Sequence, residues 1–163
     1  VERVYLDHNA TTPLDGRVFE AMLPFLTGSF GNPSSLHWFG QRARAAVDEA
    51  REKVAALVGA SPSEVVFTGS GTEADNTALW GVLGRAGPGR RGLVVSAVEH
   101  HAVHNTARAL AEEGVTVTTV RAGGDGRVDV EDLRAKVDER TSLVAVMLAN
   151  NETGVLQPLP EAV

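Results

Sequence analysis

Three polar clusters in this sequence hold residue types that can do chemistry. The first is GSGTEADN, residues 69–76, directly after the apolar Val65, Val66 and Phe67, which read as a buried strand. Gly69 and Gly71 permit backbone conformations and close approaches that a side chain would block. Gly71 or Thr72 then sits at a helix start, where unpaired amide groups and the helix dipole favour an anion, so the stretch is a candidate phosphate cradle. Residues 69–74, GSGTEA, also satisfy the G-x-G-x-x-G/A dinucleotide fingerprint, with Glu99 placed where a ribose-binding acid can fall. A loop of this composition serves equally as a plain strand-to-helix turn, and all three uses stay open at this point.

The second cluster, EHHAVHN at residues 99–105, brings His100, His101 and His104 together. Their spacing does not follow H-E-x-x-H and the chain has no cysteine to complete a ligand set, so no metal site is expected. The third, ANNETG at residues 149–154, places amides and a glycine just past an apolar run. Two further stretches lie nearer the start. Asp7, His8, Asn9, Thr11 and Thr12 fall within six positions and suit a turn leading into a helix. Residues 25–40, FLTGSFGNPSSLHWFG, concentrate Phe30, His37, Trp38 and Phe39 in a chain that is only 5% aromatic, with His37 read as a packing or capping residue.

Composition sets the outer bounds. A length of 163 residues suits one core, and a net charge of −6 without a basic stripe argues against nucleic acid as the main partner. The absence of cysteine excludes disulfides, thiolate metal sites and a cysteine nucleophile from within this chain. No apolar run approaches the roughly 20 residues that span a bilayer, and VERVYLDHNATTP lacks a signal-peptide profile, so no membrane association and a cytoplasmic location are expected. Lys53 and Lys136 are the two lysines.

The elements that must position these clusters follow from periodicity. Helices are expected over 15–25 and over 41–58, the second capped by Ser34 or Ser35 and ended by Gly59. After the strand at 65–67, a helix over 72–83 is expected to bury Ala74, Ala78, Leu79 and Val82. Strands at 93–96, 115–120 and 141–148 alternate with helices at 102–113 and 131–138. Buried strands alternating with helices indicate an α/β fold with a mostly parallel sheet, in which ligands bind beyond the carboxyl ends of the strands. Each of the three polar clusters follows a strand at that end, so one crevice is expected to collect them.

Taken in order, YLDHNATTP, GNPSSLHWFG, TGSGTEADN, EHHAV and NNETGV resemble the amino-terminal part of the cysteine desulfurases, pyridoxal-phosphate enzymes among the class V aminotransferases. The resemblance runs from Tyr5 to the chain end. It implies a mostly parallel α/β sheet with helices on both faces, the front half of the large domain of a fold-type I pyridoxal-phosphate transferase, with residues 1–15 as an arm and 16–163 as the partial large domain. It further implies a homodimer that converts L-cysteine to L-alanine and hands the sulfur as a persulfide to an acceptor protein, for iron–sulfur cluster assembly or tRNA thiolation. Gly71 and Thr72 match the family's phosphate-binding turn. His100 matches the catalytic histidine that stacks on the pyridine ring and assists proton transfer, and Asn151 matches the amide that bonds the cofactor's phenolic oxygen.

The family's Schiff-base lysine, pyridine-pairing aspartate, substrate-binding arginine and nucleophilic cysteine match nothing in this chain, and Lys53 and Lys136 fall outside every matching motif. The expectation is therefore an amino-terminal fragment that is inactive alone. Two other functions are kept. One is an NAD-dependent oxidoreductase built on GSGTEA, which explains neither the amino-terminal loops nor NNETG. The other is a non-catalytic half-enzyme module that pairs with a lysine-bearing chain.

Overall fold

The structure, a computed structural model, describes residues 2–87 and 89–162; Val1, Pro88 and Val163 lie outside the described residues. Residues up to Phe67 form one compact unit and residues from Thr68 onward a second.

In the first unit, α1 (Gly16–Thr27) begins where Asp15 accepts a hydrogen bond from the Arg17 backbone N–H at 2.8 Å. The second helix, α2 (Trp38–Val58), starts earlier than the apolar stripe implies, and its cap is His37, whose Nδ1 accepts from the Gly40 N–H at 3.3 Å. The expected caps, Ser34 and Ser35, are used otherwise. The Asn32 side chain takes the Ser34 N–H and the Asn32 carbonyl takes the Ser35 N–H, each at 2.9 Å, so that stretch closes as a turn before the helix begins. At its far end α2 stops on Gly59 in the left-handed conformation, φ 70°.

The expected strand at 65–67 is corrected. Val65 is extended, but Val65, Val66 and Phe67 pair with no strand among the described residues, and Val66 is 71% exposed. Instead of a ladder partner, the Val65 carbonyl accepts from the Arg51 guanidinium, which also lies 5.1 Å from the Phe67 ring centroid.

The second unit is built on β1 (Gly92–Ser96), flanked in parallel by β2 (Thr116–Val120) and β3 (Thr141–Ala145) in the order β2-β1-β3. Alternation along β1 divides the core. Leu93 and Val95 pack with Leu79 and Leu83 of α3 (Gly71–Leu83) and with Val103, Ala107 and Leu110 of α4 (His101–Glu112). Val94 packs on the opposite face with Val120, Val128 and Leu133, the last on α5 (Val130–Lys136). A strand buried on both faces needs helices on both sides, which gives the parallel α/β unit expected from the sequence.

One helix face and one strand boundary differ from the expectation for identifiable reasons. The third helix buries Leu79 and Leu83, whereas Ala74, Ala78 and Val82 are exposed, because Asn76 is turned to hydrogen-bond Thr106 of α4 and residues 76, 79 and 83 then share the inner face. The last strand ends at Ala145 and does not run to residue 148, because the Met147 N–H is taken by the Glu99 side chain. No helix among the described residues is long and apolar enough to cross a membrane.

Two glycines that look alike in sequence differ in their surroundings. A Cβ at Gly40 would lie 2.3 Å from the Ser35 carbonyl oxygen, whereas one at Gly81, inside α3, would meet nothing within 4 Å. Urea unfolding should therefore show Gly81→Ala stabilising by up to about 1 kcal/mol and Gly40→Ala destabilising by about 1–3 kcal/mol.

Candidate functional site

Ser70 caps α3 by accepting the Glu73 N–H at 3.2 Å, and the Glu73 carboxylate returns to accept the Gly69 N–H at 2.8 Å. This reciprocal pairing satisfies the donors on either side of the turn. Gly71 and Thr72, the first two residues of the helix, keep amide groups that no intrahelical carbonyl can reach. Their N–H groups and the helix dipole make a local preference for an anion.

The corresponding position on α4 is held by His100. Its Nδ1 accepts from the Ala102 N–H at 3.1 Å, while the ring stays exposed. An accepting Nδ1 carries no proton, so the neutral ring holds its proton on Nε2. Thr72 and His100 border one groove of about 400 Å³ between α3 and α4, together with Asn76, Trp80, His101 and Thr106.

A side-chain tie joins the two helices along that groove. The Thr106 hydroxyl lies between Asn76 Oδ1 and the Ala102 carbonyl, the latter at 2.7 Å, and Asn76 Nδ2 donates to the Thr72 carbonyl at 2.7 Å. Thr106 is buried and Asn76 half-buried, so a polar link joins the start of α3 to the first turns of α4.

The third cluster folds around Asn150, whose Oδ1 accepts from the Glu152 N–H at 3.0 Å, the Thr153 N–H at 2.9 Å and the Thr153 hydroxyl at 3.1 Å. Asn151 is exposed on this turn and donates from Nδ2 to Glu152 Oε1 at 3.1 Å. Gly154 completes it at φ 73°. The structure thus puts Thr72 and His100 on one groove, Gly71 at its helix start, and Asn151 on a separate turn past β3.

Glu99, the acid that a dinucleotide site would need, is committed elsewhere. Its Oε1 accepts from the Ser96 hydroxyl at 2.7 Å and the Met147 N–H at 2.6 Å. The lysines are committed as well. Lys53 pairs with Glu49 at 2.6 Å on α2, and Lys136 with Asp132 at 2.6 Å on α5. The Lys136 hydrogen bond, then that from the Arg121 N–H, holds the Asp132 carboxyl below its ordinary range against opposing desolvation. Among the described residues no group of His, Asp and Glu gathers in a way that could hold a metal ion.

Sequence reading passed over Ser70, Asn76, Thr106 and Asn150 as site residues. Ser70 had a legible signal in the Ser-x-x-Glu spacing to Glu73. Asn76 and Thr106 had none, because their partnership spans 30 positions.

The second unit is thus a parallel α/β unit in which Thr72, at the start of α3, and His100, at the cap of α4, border one groove. Over residues 4–163 the chain matches the family Aminotransferase class-V, and it belongs to that family. It is 48% identical over 158 residues to "Cysteine desulfurase" of Trichormus azollae, which covers 97% of this chain and 39% of that protein. Its fold is similar to that of a "NIFS-LIKE PROTEIN" with a TM-score of 0.93 at 42% identity, covering 99% of this chain and 44% of that one. It is also similar to "SspA in complex with cysteine", with a TM-score of 0.90 at 34% identity, covering 97% of this chain and 46% of that one. The chain therefore spans less than half the length of these relatives.

The Asn76–Thr106 tie generates a direct test. Thr106→Val keeps the shape and removes the hydroxyl, leaving Asn76 Oδ1 without its donor. Chemical denaturation should show a loss of about 1–2 kcal/mol, and an unchanged midpoint would mean that the tie does not hold the two helices.

Proposed function

We propose that this chain is the amino-terminal portion of the cofactor-binding large domain of a pyridoxal-phosphate-dependent cysteine desulfurase, with residues 1–15 as an amino-terminal arm and 16–163 within the large domain. The observation that carries this reading is the groove that Thr72 and His100 share at the amino ends of α3 and α4. Family membership and the likeness to SspA, whose structure holds cysteine, support it.

The residues present fit the cofactor. Two unpaired helix-start amides, at Gly71 and Thr72, and the Thr72 hydroxyl match the needs of a phosphate dianion, and the exposed His100 ring offers a flat surface beside them. When bound, pyridoxal phosphate supplies an electron sink for bond cleavage at the substrate's α-carbon side.

This chain's residues then have separable tasks. Gly71 and Thr72 anchor the phosphate. His100, its Nδ1 spent on the α4 cap, holds or releases a proton at Nε2. The Asn151 amide donates to the cofactor's phenolic oxygen and helps to orient the substrate carboxylate. Lys53 and Lys136 lie on α2 and α5, outside the matching motifs, so on this reading the lysine that carries the cofactor is supplied by residues other than these two. The working protein on this reading is a soluble cytoplasmic homodimer that takes L-cysteine and passes sulfur to an acceptor protein.

Assays of alanine formation from L-cysteine test it. The longer protein loaded with cofactor should form alanine, the 163-residue chain alone should form none, and His100→Ala in the longer protein should slow the reaction about 100- to 10,000-fold. Alanine formed by the isolated chain, or none formed by the longer protein, would contradict the proposal.

A further inference from the structure

Beyond Val95, which pairs with Ala145, the ladder between β1 and β3 ends, yet the loops that follow stay joined. Two side chains take over from the backbone. Glu99 Oε1 accepts from the Ser96 hydroxyl, which is fully buried, and from the Met147 N–H, so it ties the end of β1 to the segment after β3. From the other side, Asn150 Nδ2 donates to the Val98 carbonyl at 3.1 Å while its Oδ1 organises the turn through Thr153. Each of these residues is adjacent in sequence to a proposed cofactor contact, Glu99 to His100 and Asn150 to Asn151.

We propose that Glu99 and Asn150 are positioning residues of the cofactor site: their crossed hydrogen bonds to Met147 and Val98 hold the loop that carries His100 against the turn that carries Asn151. The inference rests on the cofactor reading of His100 and Asn151 given above. The chemistry suits the task. A carboxylate accepts only, so a single charged oxygen can hold a hydroxyl and an amide donor together in a half-buried setting. Asn150 offers both a donor and an acceptor, and can therefore bridge one loop while shaping the other. Among the described residues the ladder between β1 and β3 does not continue at this level, because both strands have ended.

The test uses the full-length protein and reads its pyridoxal-phosphate dissociation constant together with amide hydrogen exchange over residues 147–153. Glu99→Ala and Asn150→Ala should each weaken cofactor binding about 10-fold or more and speed exchange at Met147 and Thr153. Glu99→Gln, which keeps an acceptor oxygen, should recover most of the affinity. In an Asn151→Ala background, Glu99→Ala should weaken binding by clearly less than it does alone, since part of its effect acts through Asn151.

A purely structural Glu99 would give faster exchange with unchanged cofactor affinity, or fully additive effects with Asn151→Ala, and either result overturns the proposal. If His100→Ala and Asn151→Ala themselves leave affinity unchanged, the site reading fails and the positioning role falls with it. If those two weaken binding while Glu99→Ala and Asn150→Ala do not, only the positioning role is overturned. Should Glu99→Ala fail to fold, Asn150→Ala carries the same comparison, alone and in the Asn151→Ala background.

Discussion

Burial of β1 on both faces is the constraint from which the rest of the second unit follows. Leu93 and Val95 need one apolar cover and Val94 another, so the chain must cross over after each strand and lay helices on opposite sides of the sheet. Crossovers of this kind make the strands parallel and leave the loops after β1 and β3 at the same end. Polar residues can gather there because the apolar requirement has been met lower in the sheet. The candidate site is thus a by-product of how the core is covered, with its polar residues placed past the ends of β1 and β3.

Within that end, chemistry and position are divided between neighbouring residues. His100 is fixed by the cap it makes to Ala102, and Asn151 by the turn that Asn150 builds. Asn76 and Thr106 join the two helices whose first turns border the groove. The polar groups doing this holding are half-buried or buried and use most of their hydrogen-bonding capacity on protein partners. The proposed contacts, by contrast, sit on exposed surface. Such a division keeps the proposed contacts accessible without leaving them loose.

Sequence reading reached the fold because the strongest signals were long and periodic. The run at 93–96 and the helix closed by Gly114 are found nearly where the apolar pattern places them. Its errors have physical sources. Val65–Phe67 has the composition of a buried strand, but composition does not reveal whether a ladder partner exists. The face of α3 was mis-phased because Asn76 points inward, which apolar counting treats as an outward residue. His37 was preferred to a serine cap because Asn32 had already engaged the Ser34 and Ser35 amides, a local competition that residue preferences do not weigh. The polar clusters of the candidate site were legible as motifs, whereas the bonds that join them link residues 30 to 52 positions apart and leave no trace in spacing.

The central claim is that the amino end of α3 seats the cofactor's phosphate while His100 lies against its ring. The most direct measurement is a crystal structure of the full-length protein with pyridoxal phosphate bound. The account predicts phosphate oxygens at about 2.7–3.2 Å from the Gly71 and Thr72 backbone nitrogens, with the His100 ring stacked on the pyridine. A phosphate held by other residues, with those two amides turned to water, would contradict it.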